Sequence, residues 1–319
     1  MSNKITLDTP SQANVVVVGG GTMGSDVAVV FLRASSQVFV VESNTSLHET
    51  IRQKIQQNLE NIEKAENIEK LVIVADIHEI DWSSINLMVE CIPEKLSIKQ
   101  DLFKTLASLA PAHVLLSSNS SSFPISQIAE GLETQERMIG LHFFMPAHIV
   151  PLAEVILGEN TEPELGEILC KFMRRCGSVP ILVRKDIAGF IGNRLQHALG
   201  REAYALIQAG IVTHEDIDNA VRFGFGFRYI AAGPILQKDH AGLEVHVAAA
   251  TTIYPSLAND TSPLPILTDK PKNGTIGMKT GEGFYQWTPE TIKAERERYD
   301  EALRKGLEIL ASDLPPIRP

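Results

Sequence analysis

A run of four valines, Val15 to Val18, ends directly in Gly19-Gly20-Gly21-Thr22-Met23-Gly24. β-Branched residues without polar alternation suit a strand covered on both faces. The apolar stretch at residues 26–33 reads as a helix. A strand, a glycine turn and a helix in that order leave few folds open. Gly19 can make the tight turn, Gly21 lets the backbone approach a pyrophosphate, and Gly24 packs the helix against the sheet. The unpaired amides at Thr22 and Met23, on the positive end of the helix dipole, then face the phosphates.

A second strand, residues 37–41, ends in Glu42. A carboxylate at that distance past the glycines accepts hydrogen bonds from the adenosine ribose and repels a 2′-phosphate. Ser43 and Asn44 follow, with no arginine to receive such a phosphate. The cofactor expected is therefore NAD, not NADP.

Further strands are expected at residues 71–74, 86–92, 113–116, 137–144, 153–157 and 179–183, and helices within 46–70, up to about 109, and at 162–176. This is the pattern of an α/β, Rossmann-type doubly wound sheet. In such sheets ligands gather at the carboxyl ends of the strands, which brings forward Glu94 and Lys99 after one strand and the polar run from Ser117 through Asn119 and Ser121 to Ser122 after the next. His142 and Glu154 fall on the two strands that follow. From Gly189 the texture becomes helical only, at residues 190–209, from a capped start at Thr213, at 234–250 and at 289–311. The expected division is an NAD-binding domain at 1–186 and an all-helical domain at 187–319, hinged at 185–188. Gly274 to Gly281 is no phosphate loop, because Met278 stands where that motif requires glycine and no strand precedes it.

The net charge of −10 over 319 residues argues against a nucleic-acid partner, since phosphate binding needs a basic face. Three widely spaced cysteines, Cys91, Cys170 and Cys176, with no C-x-x-C pair, point to reduced thiols in a cytoplasm and to neither a disulfide framework nor a metal site. Residues 1–13 read as a loose polar leader, and no apolar run is long enough to span a membrane.

Across residues 15–287 the chain resembles the 3-hydroxyacyl-CoA dehydrogenase family. The resemblance rests on the glycine motif, Val89-Glu-Cys-Ile-Pro-Glu-Lys95, Ser118-Asn-Ser-Ser-Ser122, Gly140-Leu-His-Phe-Phe144, Glu154-Val-Ile156, Gly189-Phe-Ile-Gly-Asn-Arg194 and Lys279-Thr-Gly-Glu-Gly-Phe-Tyr285. It implies that His142 is the catalytic base and Glu154 its orienting carboxylate, and that Ser121 and Asn193 bind the substrate oxygen. Glu94, Lys99, Asn119, Ser121 and Lys279 are implied as cofactor contacts beside the glycine loop and Glu42. A homodimer through the helical domain is implied as well.

Three departures bear on the substrate. Met145 replaces the asparagine of the usual His-Phe-Phe-Asn-Pro pattern, and the region after Glu42 is shorter than in the acyl-CoA enzymes. Gly226-Phe-Arg228-Tyr229 precedes Gly233-Pro, as in the relatives resembling gulonate 3-dehydrogenase (lambda-crystallin) and carnitine dehydrogenase, which act on free carboxylates. Arg228 is thus a candidate substrate anchor, because a guanidinium can grip a carboxylate bidentately. The expected reaction interconverts a 3-hydroxyacyl-CoA or a small free 3-hydroxy acid with its 3-keto form. The alternative is an idle, crystallin-like NAD(H)-binding structural protein.

Overall fold

The computed structural model describes residues 5–319. Eight strands form one sheet in the order β3-β2-β1-β4-β5-β6-β7-β8. They are β1 (Asn14–Val18), β2 (Gln37–Val41), β3 (Leu71–Val74), β4 (Leu87–Glu90), β5 (Leu115–Ser118), β6 (Met138–Phe143), β7 (Leu152–Leu157) and β8 (Val179–Val183). Neighbours from β3 across to β6 run parallel, β7 turns antiparallel to β6, and β8 runs parallel to β7. The continuous apolar runs of the sequence follow from this arrangement. Helices cover both faces, so Val15 to Val17 are fully buried and every residue of β6 is buried.

Helix α1 (Thr22–Leu32) packs its apolar residues Val27 to Leu32 against one face of the sheet. The charged region after β2 is shorter in helix than its composition suggests. α2 (His48–Glu60) stops where Glu63 turns left-handed at φ 57°, and a 3₁₀ segment at Ala65–Lys70 leads into β3. α3 (Leu96–Leu109), the short α4 (Ile125–Ile128) and α5 (Pro163–Arg175) complete this part. The expected leader is not loose where it is described. Ile5 and Leu7 are buried in the core beside α1, and the first four residues of that stretch lie outside the described residues.

The chain divides into two compact units, one holding the residues up to Asn193 together with Asp313–Pro319, the other Arg194–Ser312. α6 (Gly192–Gln208), α7 (His214–Ala220), α8 (Gly226–Arg228), α9 (Leu236–Ala241), α10 (Leu243–Ile253), α11 (Pro265–Lys272) and α12 (Pro289–Ile309) supply the helices of the second. The single helix expected at 234–250 is broken by Gly242, whose φ of +90° no continuous helix accepts. No helix among the described residues is long and apolar enough to cross a membrane.

The glycine turn after β1 is held by steric necessity. Gly19 has φ +104°, and a Cβ there would lie 2.7 Å from the Cys91 carbonyl oxygen. A Cβ on Gly24 would lie 1.7 Å from the carbonyl oxygen of Gly19, so α1 cannot approach β1 this closely with any other residue. A Cβ on Gly21 would meet nothing within 4 Å, so the outer side of the loop is open to a phosphate while its inner side is closed. Gly24→Ala should push α1 off the strand, destabilising the protein by about 1–3 kcal/mol. Thermal unfolding with and without NADH should record a lower Tm and loss of the NADH-induced rise.

Candidate active site

The register of the sheet creates the central pair. β6 and β7 are antiparallel with His142 directly opposite Glu154, and Cβ atoms of facing residues are near neighbours. His142 Nδ1 lies 2.7 Å from Glu154 Oε2. The other carboxylate oxygen, Oε1, accepts the backbone N–H groups of Ile191 (2.9 Å) and Gly192 (2.8 Å). Burial pushes the Glu154 carboxyl up, but His142 and the two amides outweigh it and hold the group below its usual range. An ionised Glu154 accepts a hydrogen bond from Nδ1–H, leaving Nε2 as the acceptor nitrogen.

The loop at 189–192 is bent to make those contacts. Gly189 and Phe190 have φ of 75° and 47°, and the second is uncommon for a bulky residue. The bend presents two consecutive amides to Glu154 and lays the Phe190 ring 5.4 Å from the imidazole, with Phe144 edge-on at 4.9 Å. Gly192 is required here, since its Cβ would stand 2.3 Å from Phe144 Cζ. His142 is left 2% exposed.

His142 Nε2 faces Ser121 Oγ at 3.0 Å. The serine loop is aimed by Glu94, whose Oε1 accepts the Ser120 hydroxyl (2.7 Å) and the amides of Ser121 (3.1 Å) and Ser122 (2.8 Å). Glu94 Oε2 pairs with Lys99 Nζ at 3.1 Å, and Lys99 pairs with Glu90 Oε1 at 2.7 Å. Lys99 is 1% exposed, so what it does toward a cofactor it does through these two carboxylates. Glu90 was not singled out from the sequence, although a carboxylate closing the apolar run Leu87-Met-Val is a signal of a buried, paired charge. It is fully buried in the sheet between Val18 and Ser118, and accepts from the Ser118 hydroxyl and the Ile92 amide as well as from Lys99.

The remaining candidates fall in three places. Asn119 accepts the Phe143 amide through its side chain (2.8 Å), tying the serine loop to the strand that carries His142. Asn193 reaches the Ser121 carbonyl at 3.5 Å. Glu42 accepts the amides of Gly20 (3.2 Å) and Asn44 (3.0 Å) at the edge of the glycine loop, where a ribose-binding carboxylate belongs. Thr22 and Met23 open α1 directly after Gly21, its N-cap residue. An open diphosphate side, the N-terminal amides of α1 and a carboxylate at the end of the neighbouring strand β2 fit NAD. Arg228 and Lys279 lie in the helical unit and are exposed there. Arg228 lines a cavity of about 570 Å³ with Phe227, Gln237, His240 and Ile309, none of them part of the His142 cluster. Burial pushes the thiols of Cys91 and Cys170 up and that of Cys176 to about 12, which favours the protonated form of each.

Glu154→Gln should set the wrong tautomer, since an amide N–H facing Nδ1 moves the ring proton to Nε2. A fall in kcat of roughly 10³- to 10⁴-fold is expected, with the fold kept. Because the folded carboxyl titrates below its ordinary value of 4.5, its stabilisation is present above that pH and is lost as pH falls through the folded value. Denaturant unfolding of the Gln variant should lack that part of the acid-side loss.

Known proteins match this chain over nearly its whole length. The 3-hydroxyacyl-CoA dehydrogenase NAD binding domain matches residues 14–187, and the C-terminal domain of the same family matches residues 189–287. The 5-formyl-3-hydroxy-2-methylpyridine 4-carboxylate 5-dehydrogenase of Mesorhizobium japonicum is 32% identical over 308 residues, covering 92% of this chain and 98% of that protein. A crystal structure of an enzyme of that name, described as an NAD+-dependent dismutase, superposes with a TM-score of 0.87 at 30% identity, over 93% of this chain and 98% of that one. The 3-hydroxyacyl-CoA dehydrogenase of Archaeoglobus fulgidus gives a TM-score of 0.68 at 26% identity, over 94% and 99%. The protein belongs to the 3-hydroxyacyl-CoA dehydrogenase family and is an NAD-dependent oxidoreductase.

Proposed function

We propose that the protein interconverts a small, carboxylate-bearing 3-hydroxy compound and its keto form, with His142 as the acid–base group and Glu154 as its orienting partner. The carrying observation is the continuous line from Glu154 through His142 Nδ1 and Nε2 to Ser121. NAD, when bound, supplies the hydride acceptor. In the oxidising direction the neutral Nε2 takes the hydroxyl proton as the carbinol loses hydride, and the buried Glu154 carboxylate stabilises the imidazolium that forms. In the reverse direction the imidazolium returns the proton, while the Ser121 hydroxyl and the Asn193 amide polarise the ketone oxygen. A base so placed contributes roughly 10²- to 10⁴-fold in rate. An idle structural protein would have no use for this alignment. Residues 1–186 then act as the cofactor domain and 187–319 as the helical one.

A free carboxylate is preferred to a CoA thioester for two reasons. The fold agrees more closely with an enzyme named for a pyridine carboxylate than with the acyl-CoA dehydrogenase above, at TM-scores of 0.87 and 0.68. Arg228 is also exposed in the helical unit and makes no ion pair within 4 Å among the described residues, so its guanidinium can take a carboxylate. The free cysteines suit a reducing compartment such as the cytoplasm.

A homodimer through the helical unit is part of this reading. None of Arg194–Ser312 is buried, and Phe223, Phe227, Ile235 and Tyr254 are 64–77% exposed. Apolar surface on that scale marks an interface.

With NADH and a panel of 3-keto acids and acetoacetyl-CoA, nicotinamide absorbance should fall fastest with a free acid. Arg228→Ala should raise KM for that acid roughly tenfold to a hundredfold and leave acetoacetyl-CoA unaffected. Turnover of acetoacetyl-CoA alone would overturn the carboxylate assignment, and an active His142→Gln variant would overturn the base. Light scattering after size exclusion should give twice the chain mass of 35.0 kDa.

A further inference from the structure

Glu90 is the last residue of β4 and has no exposed surface, so each of its carboxylate oxygens needs a partner inside the protein. The two oxygens serve different elements. Oε1 accepts Lys99 Nζ of α3 at 2.7 Å and the Ile92 amide at 2.8 Å, and Oε2 accepts the Ser118 hydroxyl of β5. Both routes lead to Ser120. Ser118 Oγ accepts the Ser120 amide at 3.1 Å, while Lys99 pairs with Glu94, whose other oxygen accepts the Ser120 hydroxyl at 2.7 Å. Glu90, Ser118, Ser120, Glu94 and Lys99 thus close a ring of hydrogen bonds and ion pairs that begins and ends on one carboxylate.

The direction of these bonds follows from the groups. A carboxylate only accepts, so the Ser118 hydroxyl donates to Glu90 and keeps its lone pairs for the Ser120 amide. The ring also sits where backbone ladders are missing. Residues 92–95 and 120–124 belong to no helix or strand, so side-chain contacts must fix them. Lys99, Ser118 and Ser120 are at most 2% exposed, whereas Ser121, next in the chain, is exposed. The ring therefore grips the buried side of a loop whose outer side carries the Ser121 hydroxyl to His142 Nε2 at 3.0 Å.

We infer that Glu90 is a positioning residue for the reaction: by closing this ring it fixes the serine loop where the Ser121 hydroxyl meets His142. With no surface of its own it touches neither substrate nor cofactor, and it acts through Ser118 and Lys99. The kinetic consequence rests on the role proposed above for Ser121, but the ring does not.

Crystal structures of the NADH complex test the ring without substrate. The Ser121 hydroxyl should lie within hydrogen-bonding distance of His142 Nε2 in the wild type and outside it in Ser118→Ala and in Glu90→Gln. Ser118→Ala opens one arm without stranding a charge. Glu90→Gln leaves the buried Lys99 cation with Glu94 alone; if it does not fold, Glu90→Gln/Lys99→Met, which removes both charges, takes its place. A contact absent from the wild type, or intact in either variant, would overturn the inference. In turnover of the keto compound reduced fastest, kcat should fall roughly tenfold in Ser118→Ala and further in Glu90→Gln. In a Ser121→Ala background, adding Ser118→Ala should lower kcat no further, because effects that pass through one group do not add. Losses that multiply there would mean that the ring acts on the fold alone, and would overturn the positioning role. If Ser121→Ala itself leaves kcat unchanged, the role proposed for Ser121 fails and the kinetic part of this inference with it, while the crystal structures still decide the ring.

Discussion

The buried carboxylate of Glu154 is the constraint on which the rest of the site depends. It has no exposed surface, so both of its oxygens must be satisfied inside the protein. One oxygen takes two amides from the loop that opens α6, and the other takes the imidazole. These demands go with the left-handed conformation of Phe190, while the Phe144 ring packed on the same loop leaves room only for glycine at residue 192. The antiparallel register of β6 and β7 is what sets residue 154 opposite residue 142.

A second buried charge system aims the other side of the imidazole. Lys99 lies between Glu90 and Glu94, and Glu94 in turn collects three donors from the serine loop. Buried ion pairs of this sort contribute little net stability, because desolvation offsets the attraction, while losing one partner costs much more. Their effect here is on geometry. Ser121 is fixed by its own backbone amide, so its hydroxyl meets His142 Nε2 at hydrogen-bonding distance. The two networks approach from β4 and from β7 and meet at the Ser121–His142 contact.

Much of the fold was legible from residue patterns. The valine run, the glycine turn and Glu42 each carry a local physical signature, and β1, β2, β3 and β8 fall where the pattern put them. Boundaries moved where the decisive contact was distant. β5 extends through Ser118 because its backbone pairs there with Glu90 of β4, a residue 28 positions away. The helix expected at 234–250 is split in two because Gly242 turns, and helical periodicity gives no warning of a left-handed glycine. Ile5 and Leu7 were hidden among polar neighbours, yet they fill the core beside α1.

The sequence by itself determined the order of strand, turn and helix, the cofactor chemistry at the glycine loop and Glu42, and the residue types available at the site. These depend on neighbours along the chain, where steric and hydrogen-bonding preferences act directly. Tertiary structure alone decided which of those residues meet. His142 and Glu154 are 12 positions apart, Lys99 and Glu90 face each other inside the core, and His148 reaches Asp26 across more than a hundred positions. Strand register and burial make those pairings, and neither is a property of any short stretch of sequence.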